Sequence, residues 1–551
     1  MVSENDCSLF RKSIRSVYQR ELTEWVGEAY FILKQDRPAV PSPIKNNPLT
    51  MGKKSKRVRS GAKLESDARA APAQRPAFEE EETKDNLRFE DPFVEEVAED
   101  EDGEWEDDDE DRDNQSHQGG IDDAGIEIVQ SWNPLTGEPL EPGQKLEMDP
   151  AAYKMHHALT PEWPSLTFDF LRDDRGEART RFPHSLLAAV GTQADRPENN
   201  QLTIMKLSDL SRIQVETEDD ILGEEYNPDK EDSDEEDSED EIDMDPIMEH
   251  YSIKHYGGVN RIRAMPQRSE IVATWSDAGT VNLFNVESIM QRFSASEGKG
   301  MSTGSIPTKP FFSYAKHTTE GYAMDWSSVN QGHMVTGDCQ GSIHLWSPRP
   351  EGGYSVVPSY ETNTSDRAVD ATPSVEDLQW SPTEATVFAS AECGGYVRVF
   401  DTRAPHKAML SHKIHSSGAD VNVLSWNKLV GNLLATGGDD GCLSVWDLRH
   451  FAGADVQPLA RFTPHKTPIT SVEWHPTDES MLATSDDMGA YIYDLSVEED
   501  DTAAGLDVPP QLLFVHSGSE QFKEVHWHPQ ISSCLMTTAL SGFSVFIPSN
   551  L

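Results

Sequence analysis

The chain has 551 residues, of which 97 are Asp or Glu and 47 are Lys or Arg, so its formal net charge is −50. A charge of this sign and size opposes direct binding to nucleic-acid phosphates and attracts basic partners. Hydrophobic residues make up only 36% of the chain, which predicts that part of it lacks a packed core.

Five cysteines are spread along the chain without a CxxC pair. This number and spacing argue against a disulfide framework or a zinc site and are typical of a reducing compartment. The sequence has no apolar run of the roughly 18 residues that a membrane helix needs, and its first residues lack the apolar core of a signal peptide. We therefore expect an intracellular protein that does not bind a membrane.

Residues 1–125 are predicted to be a disordered leader. A short basic block at 53–59 holds five Lys or Arg in seven residues, and this spacing is typical of nuclear-import signals. Residues 79–113 hold 21 Asp or Glu against three Lys or Arg, and such a stretch cannot offset its chain entropy by burying apolar groups. The break in composition at Met51 suggests that residues 1–50 are an extension and that Met51 is the biological start. The alternative is a disordered or weakly helical leader.

Residues 126–163 are predicted to form a helical segment ahead of the repeats. Asp149 precedes a proline, a pair that is typical of a helix start. We therefore expect a short helix over residues 151–159.

From residue 164 onwards, short β-branched and aromatic runs alternate with turns at a period of about 40–50 residues. Four short strands per unit at that period are typical of a β-propeller. The seven repeat units lie at 185–207, 259–285, 317–347, 378–401, 415–449, 465–494 and 516–546. The predicted fold class is all-β: a seven-bladed WD-repeat β-propeller over 164–551, with a short N-terminal helix and disordered acidic tails and loops.

Two units, at 415–449 and 465–494, show the repeat most clearly. In each, an Asp stands six residues before the aromatic residue of the third strand. We expect this Asp to accept a hydrogen bond from the His that begins the unit, which would join the loops of a blade to its sheet. The expected pairs are His415 with Asp440 and His465 with Asp487.

The strand 166–170 is left over before the first unit. We expect it to join the last blade as its outer strand, because an open ring would expose an unpaired sheet edge. Five tryptophans fall at equivalent places near the ends of the first strands of their units. We interpret them as packing between blades and not as a recognition array: Trp326, Trp380, Trp426, Trp474 and Trp527.

Two insertions interrupt the repeats. Residues 216–245 hold 18 Asp or Glu and one Lys, and residues 288–310 are rich in Ser, Gly and Lys and are expected to be flexible. The acidic insertion lengthens a loop closure inside a blade, so we favour a binding role over one in solubility alone. A mobile polyanion would neutralise a basic segment through many weak, salt-sensitive contacts.

The predicted partner-binding residues of the acidic insertion are the ten acidic residues between positions 229 and 241. They are Asp229, Glu231, Asp232, Asp234, Glu235, Glu236, Asp237, Glu239, Asp240 and Glu241. Ser233 and Ser238 are each followed by acidic residues, and we predict that an acidophilic kinase phosphorylates them, which would add negative charge.

Catalytic motifs are absent from the sequence, which shows no Gly-rich phosphate loop, HExxH motif or nucleophile elbow. His526 and His528 share one face of a predicted strand, but no third ligand stands nearby, so we interpret them as repeat positions and not as metal ligands. We predict that the protein is not an enzyme and needs no cofactor.

The stretch from Leu146 through Trp163 and Pro164 to Phe170 resembles the N-terminal helix and first strand of the histone-binding WD-repeat proteins, the chromatin-assembly-factor small-subunit type. The resemblance extends over residues 126–551. It implies that the N-terminal helix lies against the last blade and helps to bind a helical segment of the partner. On that basis Tyr153 and His157 join the predicted partner-binding residues.

The acidic tract and the acidic insertion resemble, more narrowly, the ribosome-assembly branch of this family. This resemblance implies a nuclear or nucleolar protein, expected to be monomeric, that captures newly made large-subunit ribosomal protein L-three and delivers it to pre-60S particles. Histones are the alternative basic partner, for a histone chaperone or chromatin-assembly adaptor. A third alternative is a ubiquitin-ligase substrate receptor, because Trp446–Arg449 and Phe400–Arg403 resemble the WDxR motif of adaptor-docked propellers.

Overall fold

A ring of seven antiparallel sheets, or blades, forms the body of the protein and confirms the predicted seven-bladed propeller. The computed structural model describes residues 31–35, 131–132, 144–213, 246–296, 303–361, 373–404, 406–415, 418–453, 456–498 and 508–551. The leader 1–125, apart from 31–35, and the acidic insertion 216–245 lie outside these residues.

Four strands precede the first blade. Three of them form a small antiparallel sheet: β1 (Phe31–Gln35), β2 (Ser131–Trp132) and β3 (Gln144–Met148). A single 3₁₀ turn, Pro150–Ala152, then leads into β4 (Tyr153–Leu159). The first of these strands therefore comes from the segment predicted to be a disordered leader.

The first two blades carry the insertions. Blade 1 contains β5 (Phe168–Leu171), β6 (His184–Gly191), β7 (Gln201–Leu210) and β8 (Ile247–Lys254), with a 3₁₀ turn at Pro197–Asn199. Blade 2 contains β9 (Val259–Met265), β10 (Arg268–Ser276), β11 (Thr280–Asn285) and β13 (Phe312–Tyr314). Between β11 and β13 lie helix α1 (Glu287–Ser296) and β12 (Thr303–Ser305), and β12 pairs with β8 as a fifth strand of blade 1.

Blades 3 to 5 are regular four-stranded sheets. Blade 3 contains β14 (Ala323–Trp326), β15 (Met334–Gly337), β16 (Ser342–Pro348) and β17 (Tyr354–Glu361). Blade 4 contains β18 (Val375–Trp380), β19 (Val387–Glu392), β20 (Tyr396–Asp401) and β21 (Ala408–Lys413). Blade 5 contains β22 (Val421–Trp426), β23 (Leu433–Gly438), β24 (Leu443–Asp447) and β25 (Ala460–Phe462), with a 3₁₀ turn at Leu448–His450.

The last two blades complete the ring. Blade 6 contains β26 (Ser471–Trp474), β27 (Met481–Ser485), β28 (Ala490–Asp494) and β29 (Leu512–His516). Blade 7 contains β30 (Glu524–Trp527), β31 (Leu535–Ala539) and β32 (Gly542–Pro548), and its fourth strand is β4 from the start of the ring. Among the described residues, no helix is long and apolar enough to cross a membrane.

The closing strand is β4 and not residues 166–170, so two predictions were wrong. Residues 153–159 pair with β32, from Tyr153 opposite Pro548 to Leu159 opposite Phe543, where a helix over 151–159 was expected. The predicted cap is present, since Asp149 Oδ1 accepts a hydrogen bond from Ala151 N at 2.9 Å, but it starts only one 3₁₀ turn. Residues 168–171 form instead the innermost strand of blade 1.

The physical reason is the burial pattern of β4. Tyr153 and Met155 are 3% and 0% exposed, and their two-residue spacing places them on one face of a strand. Met155 packs among residues of blades 7 and 1, including Phe168 and Phe543. The last three strands of the chain, β30 to β32, form a blade of only three strands without a partner for β32. Residues 153–159 can supply the fourth strand because buried and partly exposed side chains alternate along their first part.

The insertion 288–310 was expected to be flexible, and that expectation was wrong for its first part. Helix α1 buries Ile289 and Phe293, which are 0% and 1% exposed and lie four residues apart on one helix face. Both pack against the core between blades 1 and 2. The Ser- and Gly-rich composition obscured this short apolar pattern.

A hydrogen-bonded chain ties the loops of a blade to its third strand. In blade 3, His317 Nδ1 lies 2.9 Å from Asp338 Oδ2, and His317 Nε2 lies 2.9 Å from Thr336 Oγ1. The indole of Trp346 donates to the same hydroxyl at 2.9 Å. All four side chains are buried, so the chain satisfies polar groups that would otherwise destabilise the blade.

The predicted His–Asp pairs are half right. His415 Nδ1 bonds Asp440 at 2.9 and 3.0 Å as expected. His465, however, bonds Asp486 at 3.0 Å and not Asp487. Asp486 lies two residues after Thr484, which also bonds His465, just as Asp338 lies two residues after Thr336 in blade 3. Asp487 pairs instead with Lys523, whose Nζ lies 3.1 Å from its carboxylate.

The closing strand gives a test of the fold. Met155→Ala should lower the free energy of unfolding by about 2–5 kcal/mol, because it leaves a cavity in a packed core. Ala158 lies on the same strand but is exposed, so Ala158→Ser should change stability by less than about 0.5 kcal/mol. Urea unfolding of both variants measures the difference, and equal stabilities would contradict the assignment of β4.

Candidate functional site

The five tryptophans at the ends of the innermost strands are buried, as predicted. They are between 1% and 5% exposed: Trp326, Trp380, Trp426, Trp474 and Trp527. Three indoles donate to a backbone carbonyl of the preceding blade: Trp326 to Arg263, Trp474 to Ser425 and Trp527 to Glu473, at 3.0–3.2 Å. The tryptophans therefore join blades and do not offer a recognition surface.

Side chains facing the central channel join each innermost strand to the next. The inner edge of such a strand has no strand partner, so its N–H groups need other acceptors. Ile262 N and Ala264 N donate to the side chains of Thr167 and Asp169, respectively, and Trp380 N donates to Asp325. Leu424 N and Trp426 N donate to Asp377 and Gln379, respectively, and Trp474 N donates to Ser425. Trp527 N donates to Glu473, and Phe168 N donates to Glu524. Between blades 2 and 3, Arg261 Nε donates to Tyr322 O at 2.7 Å.

A charged cluster occupies the channel where blades 6, 7, 1 and 2 meet. Glu524 is paired with Arg261 at 2.5 Å and with Arg263 at 3.2 Å. His526 lies between two carboxylates, with Nδ1 3.1 Å from Glu473 and Nε2 3.3 Å from Glu524. Burial alone would lower the pKa of His526, but its hydrogen bonds to these carboxylates outweigh burial and raise the pKa to about 9. The charges therefore balance one another inside the ring.

Asp325 is the least compensated carboxyl of the channel. Burial raises its pKa to about 7, although the hydrogen bond from Trp380 N and the charge of Arg263 act in the opposite direction. Asp377 adds to the effect, and burial raises its own pKa as well. Both acids line a cavity of about 290 Å³ at the end of the channel where the innermost strands finish.

We name this end of the ring the tryptophan face. In a four-stranded antiparallel blade, the turns after the first and third strands lie on the same face. The acidic insertion follows β7, the third strand of blade 1, and the chain ends just after β32, the third strand of blade 7. The described residues that flank the acidic insertion, helix α1 and the C-terminal residues therefore all lie on the tryptophan face.

The root of the acidic insertion, residues 211–213, is fixed to the closing strand. Ile213 N donates to Lys154 O at 2.9 Å, and His157 Nε2 lies 3.4 Å from Ser211 O. Ile213 is half-buried and packs against the core that contains Tyr153. On the far side of the insertion, Ile247 begins β8 and is 41% exposed. The insertion thus leaves and re-enters the fold where blades 7 and 1 meet.

The structure assigns different roles to the predicted partner-binding residues. Tyr153 is 3% exposed, and its hydroxyl lies 2.8 Å from His516 Nδ1, so it is a core residue and not a contact for a partner. His157 is half-buried beside the root of the insertion. The acidic run from Asp229 to Glu241 and the predicted phosphorylation sites Ser233 and Ser238 lie outside the described residues.

Neither His526 nor His528 is placed as a metal ligand. His526 is held by two glutamates, and His528 Nδ1 accepts backbone hydrogen bonds from Gln530 and Ile531 at 3.0 and 2.9 Å. In the part of the chain that the structure describes, no group of three or more His, Cys, Asp or Glu side chains could hold a metal ion.

The two motifs that resemble WDxR present their arginines on the tryptophan face. Arg449 is 53% exposed and pairs with Asp447, and Arg403 is 74% exposed and pairs with Asp401, both at 2.5 Å. Each Asp therefore fixes the arginine of its own motif at the end of a third strand.

The channel side chains and Lys154 were not predicted from the sequence. A signal for the former was present, because the residue before each inner tryptophan must point to the opposite side of the strand. Asp325, Gln379, Glu473 and His526 all occupy that position. Lys154 anchors the insertion through its backbone carbonyl. Since any residue type has this group, the sequence gives no signal for the role.

Channel electrostatics predict a pH-dependent effect of Asp325→Asn. A carboxyl whose folded pKa is raised destabilises the fold increasingly as the pH rises from its unfolded pKa, about 4, to its folded pKa, and by a constant amount above that. The amide keeps the acceptor for Trp380 N, so the variant should be more stable than the wild type by roughly 1–2 kcal/mol at pH 8.5. The gain should shrink as the pH falls below about 7 and should nearly vanish at about pH 4.

Thermal or urea unfolding at both pH values measures this gain. Asp174, which is exposed, supplies the control Asp174→Asn, for which no such pH dependence is expected. A gain for Asp325→Asn that does not grow with pH would contradict the assignment of Asp325 as a poorly compensated acid.

Comparison with known proteins places the chain in a family. Residues 143–211 match the family model that describes the histone-binding protein RBBP4 and its counterpart in the CAF1 complex, and residues 409–447 and 456–494 match the WD domain, G-beta repeat. The first match covers β4 and blade 1 up to the end of β7, and it ends at residue 211, the first residue of the root of the acidic insertion.

Three relatives match most of the chain. The protein HEAT STRESS TOLERANT DWD 1 of Arabidopsis thaliana is 40% identical over 76% of this chain and 91% of its own length. Ribosome assembly protein rrb1 of Schizosaccharomyces pombe is 35% identical over 88% of this chain and 97% of its own length. Glutamate-rich WD repeat-containing protein 1 of Dictyostelium discoideum is 37% identical over 75% of this chain and 84% of its own length. The chain therefore belongs to the family of histone-binding-type WD-repeat proteins that includes the ribosome assembly protein rrb1 and the glutamate-rich WD repeat-containing protein 1.

Proposed function

We propose that this protein acts in ribosome assembly as a chaperone of a newly made basic ribosomal protein. The finer proposal is that its cargo is a large-subunit protein of the L-three type, which it delivers to pre-60S particles. The similarity to a ribosome assembly protein over 97% of that protein's length supports the role in assembly.

The observation that carries the proposal is the placement of the acidic insertion. Its 18 acidic residues and single Lys are tethered at one end by the bond from Ile213 N to Lys154 O and at the other by β8. Both ends of this polyanion are fixed where blades 7 and 1 meet, a junction that we name the seam. Its local concentration beside the folded surface of the seam is therefore high.

The physical mechanism is charge neutralisation. Basic ribosomal proteins bind RNA through many Lys and Arg contacts with phosphates. A tethered polyanion offers the same cations many weak, screened contacts, so binding is fast and release is easy. Phosphorylation of Ser233 and Ser238 would strengthen the attraction by adding about −1.5 to −2 charge at each site.

The proposed role is not enzymatic, and it needs no cofactor. The channel carboxylates bind backbone N–H groups and arginines, so their role is to hold the blades of the ring together. We further propose that the protein works as a monomer in the nucleus and nucleolus, where pre-60S particles form, with the basic block at 53–59 as its import signal.

Histone binding is the second candidate function. It is favoured by the match of residues 143–211 to the histone-binding family model, which covers the segment that anchors the acidic insertion. Histones and ribosomal proteins are both strongly basic, so the acidic insertion would attract either kind of cargo by the same charge neutralisation.

Replacing residues 216–245 with a Gly/Ser segment of equal length tests the mechanism. The variant should bind a basic ribosomal protein at least about tenfold more weakly at low salt and show a flatter dependence on salt concentration. The propeller should stay folded, because the insertion lies outside the blades. Titration calorimetry at two salt concentrations measures both effects.

A matched control keeps the charge but changes the order. A variant in which residues 216–245 are permuted should bind as the wild type does, because the mechanism depends on charge density and not on sequence. An unchanged affinity of the Gly/Ser variant would rule out the acidic insertion as the binding element.

The identity of the cargo is tested by affinity purification of the full chain at low salt. Our proposal expects a large-subunit ribosomal protein in stoichiometric amount, and its L-three identity is read by mass spectrometry. Recovery of histones without ribosomal proteins would overturn the proposal in favour of the second candidate.

A further inference from the structure

The ring is also closed by two loops on the tryptophan face, which we name the closing loops: residues 172–183 of blade 1 and residues 528–534 of blade 7. Their backbones are joined by Arg179 N to Gln530 O at 2.9 Å and by Ser532 N to Arg179 O at 3.1 Å. The side chain of Gln530 adds two bonds, accepting from Asp173 N and donating to Asp173 O, both at 2.9 Å.

Both closing loops hold a non-glycine residue in the left-handed region of backbone conformation. Ala178 has a φ of 49° and Ser533 a φ of 54°. Such conformations are uncommon for residues other than glycine, and they persist where the surrounding contacts over-determine them. Each strained residue lies near the point where the loops meet, and Ala178 directly precedes Arg179.

Arg179 brings a buried cation to this junction. Its side chain is 14% exposed, and its Nη1 donates to Asp173 Oδ2 at 3.0 Å. Its Nε and Nη2 are buried and have no hydrogen-bond partner among the residues that the structure describes. A guanidinium carries five N–H donors in a planar fork, so one edge of this fork is left without an acceptor.

His528 adds another unpaired donor. Its Nδ1 accepts hydrogen bonds from Gln530 N and Ile531 N at 3.0 and 2.9 Å, so this nitrogen carries no proton. The proton of the neutral ring is therefore on Nε2, which is buried and has no partner in the described part of the chain. Burial and then the charge of Arg179 lower the pKa of His528 to about 3, in agreement with a neutral ring.

The backbones of Arg179 and His528 meet at one junction, and the charge of Arg179 acts on the His528 ring. The backbone of Arg179 pairs with that of Ile531, whose N–H also bonds the His528 ring. All three unpaired atoms carry N–H donors, and leaving buried donors without acceptors costs about 1–3 kcal/mol each. A ligand that supplies only acceptors and a negative charge would satisfy them together.

We propose that the closing loops bind a small inorganic anion, phosphate, sulfate or chloride, between the Arg179 guanidinium and His528 Nε2–H. The burial of both side chains selects a free ion over a phosphate group of a nucleic acid. Since the anion would bridge blades 1 and 7, it would stabilise the closed ring.

Thermal unfolding of the full chain tests this site. The protein is prepared in a buffer whose only anions are bulky organic ones, and its Tm is measured against phosphate, sulfate and chloride at constant ionic strength. We expect a saturable rise with at least one anion, of about 2 °C or more at concentrations well above its Kd. A Tm that none of the three anions changes would overturn the proposal and leave buried water as the partner of these donors.

Two variants assign the effect to the closing loops. Arg179→Gln and His528→Asn should each abolish the anion-dependent rise, and the Asn side-chain oxygen can still accept the backbone N–H groups that His528 Nδ1 serves. Arg172 lies in the same loop with a side chain that is 42% exposed, so Arg172→Gln should keep the rise.

The outcome does not depend on the folding of one variant. If Arg179→Gln fails to fold, His528→Asn decides. Bromide soaked into crystals of the wild type gives an independent readout, with an anomalous peak expected beside Arg179. A rise in Tm that persists in His528→Asn, or a bromide peak only elsewhere, would overturn the assignment.

Discussion

The structure depends on how the innermost strands satisfy the hydrogen-bonding groups of their inner edges. A blade pairs these strands on one side only, and a buried N–H without an acceptor is costly. The chain supplies the acceptors from side chains of the preceding blade, among them Asp169, Asp325 and Glu473. Every blade is thereby bound to its neighbour, and the ring acts as one unit although its cores are separate.

This arrangement places acidic groups inside the ring for a structural purpose. Arg261, Arg263 and a protonated His526 balance Glu473 and Glu524, whereas Asp325 and Asp377 are compensated less fully. The channel acids and the acidic insertion therefore differ in kind. The former bind backbone N–H groups and arginines of the ring, whereas the latter has 18 acidic residues and a single Lys.

Ring closure and the root of the acidic insertion are linked through β4. This strand completes blade 7, and the carbonyl of its Lys154 holds the root of the acidic insertion. The closing loops around Arg179 fasten the same seam by a second, separate set of bonds.

Much of the fold could be predicted from the sequence, because the propeller signal is local and repeated. The seven units, the packing role of the tryptophans and the His415–Asp440 pair all rest on spacing within one blade. Family membership was also accessible, since the stretch around Trp163 and Pro164 resembles that family. The acidic insertion was found because eighteen acidic residues in thirty positions are visible without any structure.

What the sequence could not decide were the contacts between segments distant along the chain. Residues 153–159 were assigned to a helix, because only pairing with β32, nearly four hundred residues later, shows that they form a strand. Asp486, and not Asp487, is the partner of His465, and Asp487 pairs with Lys523 of another loop. The sequence by itself determined the repeat, the charge and its concentration in one N-terminal tract and one insertion. Tertiary structure alone decided which strand closes the ring and where the insertion is anchored, because both depend on hydrogen bonds between groups that the sequence leaves far apart.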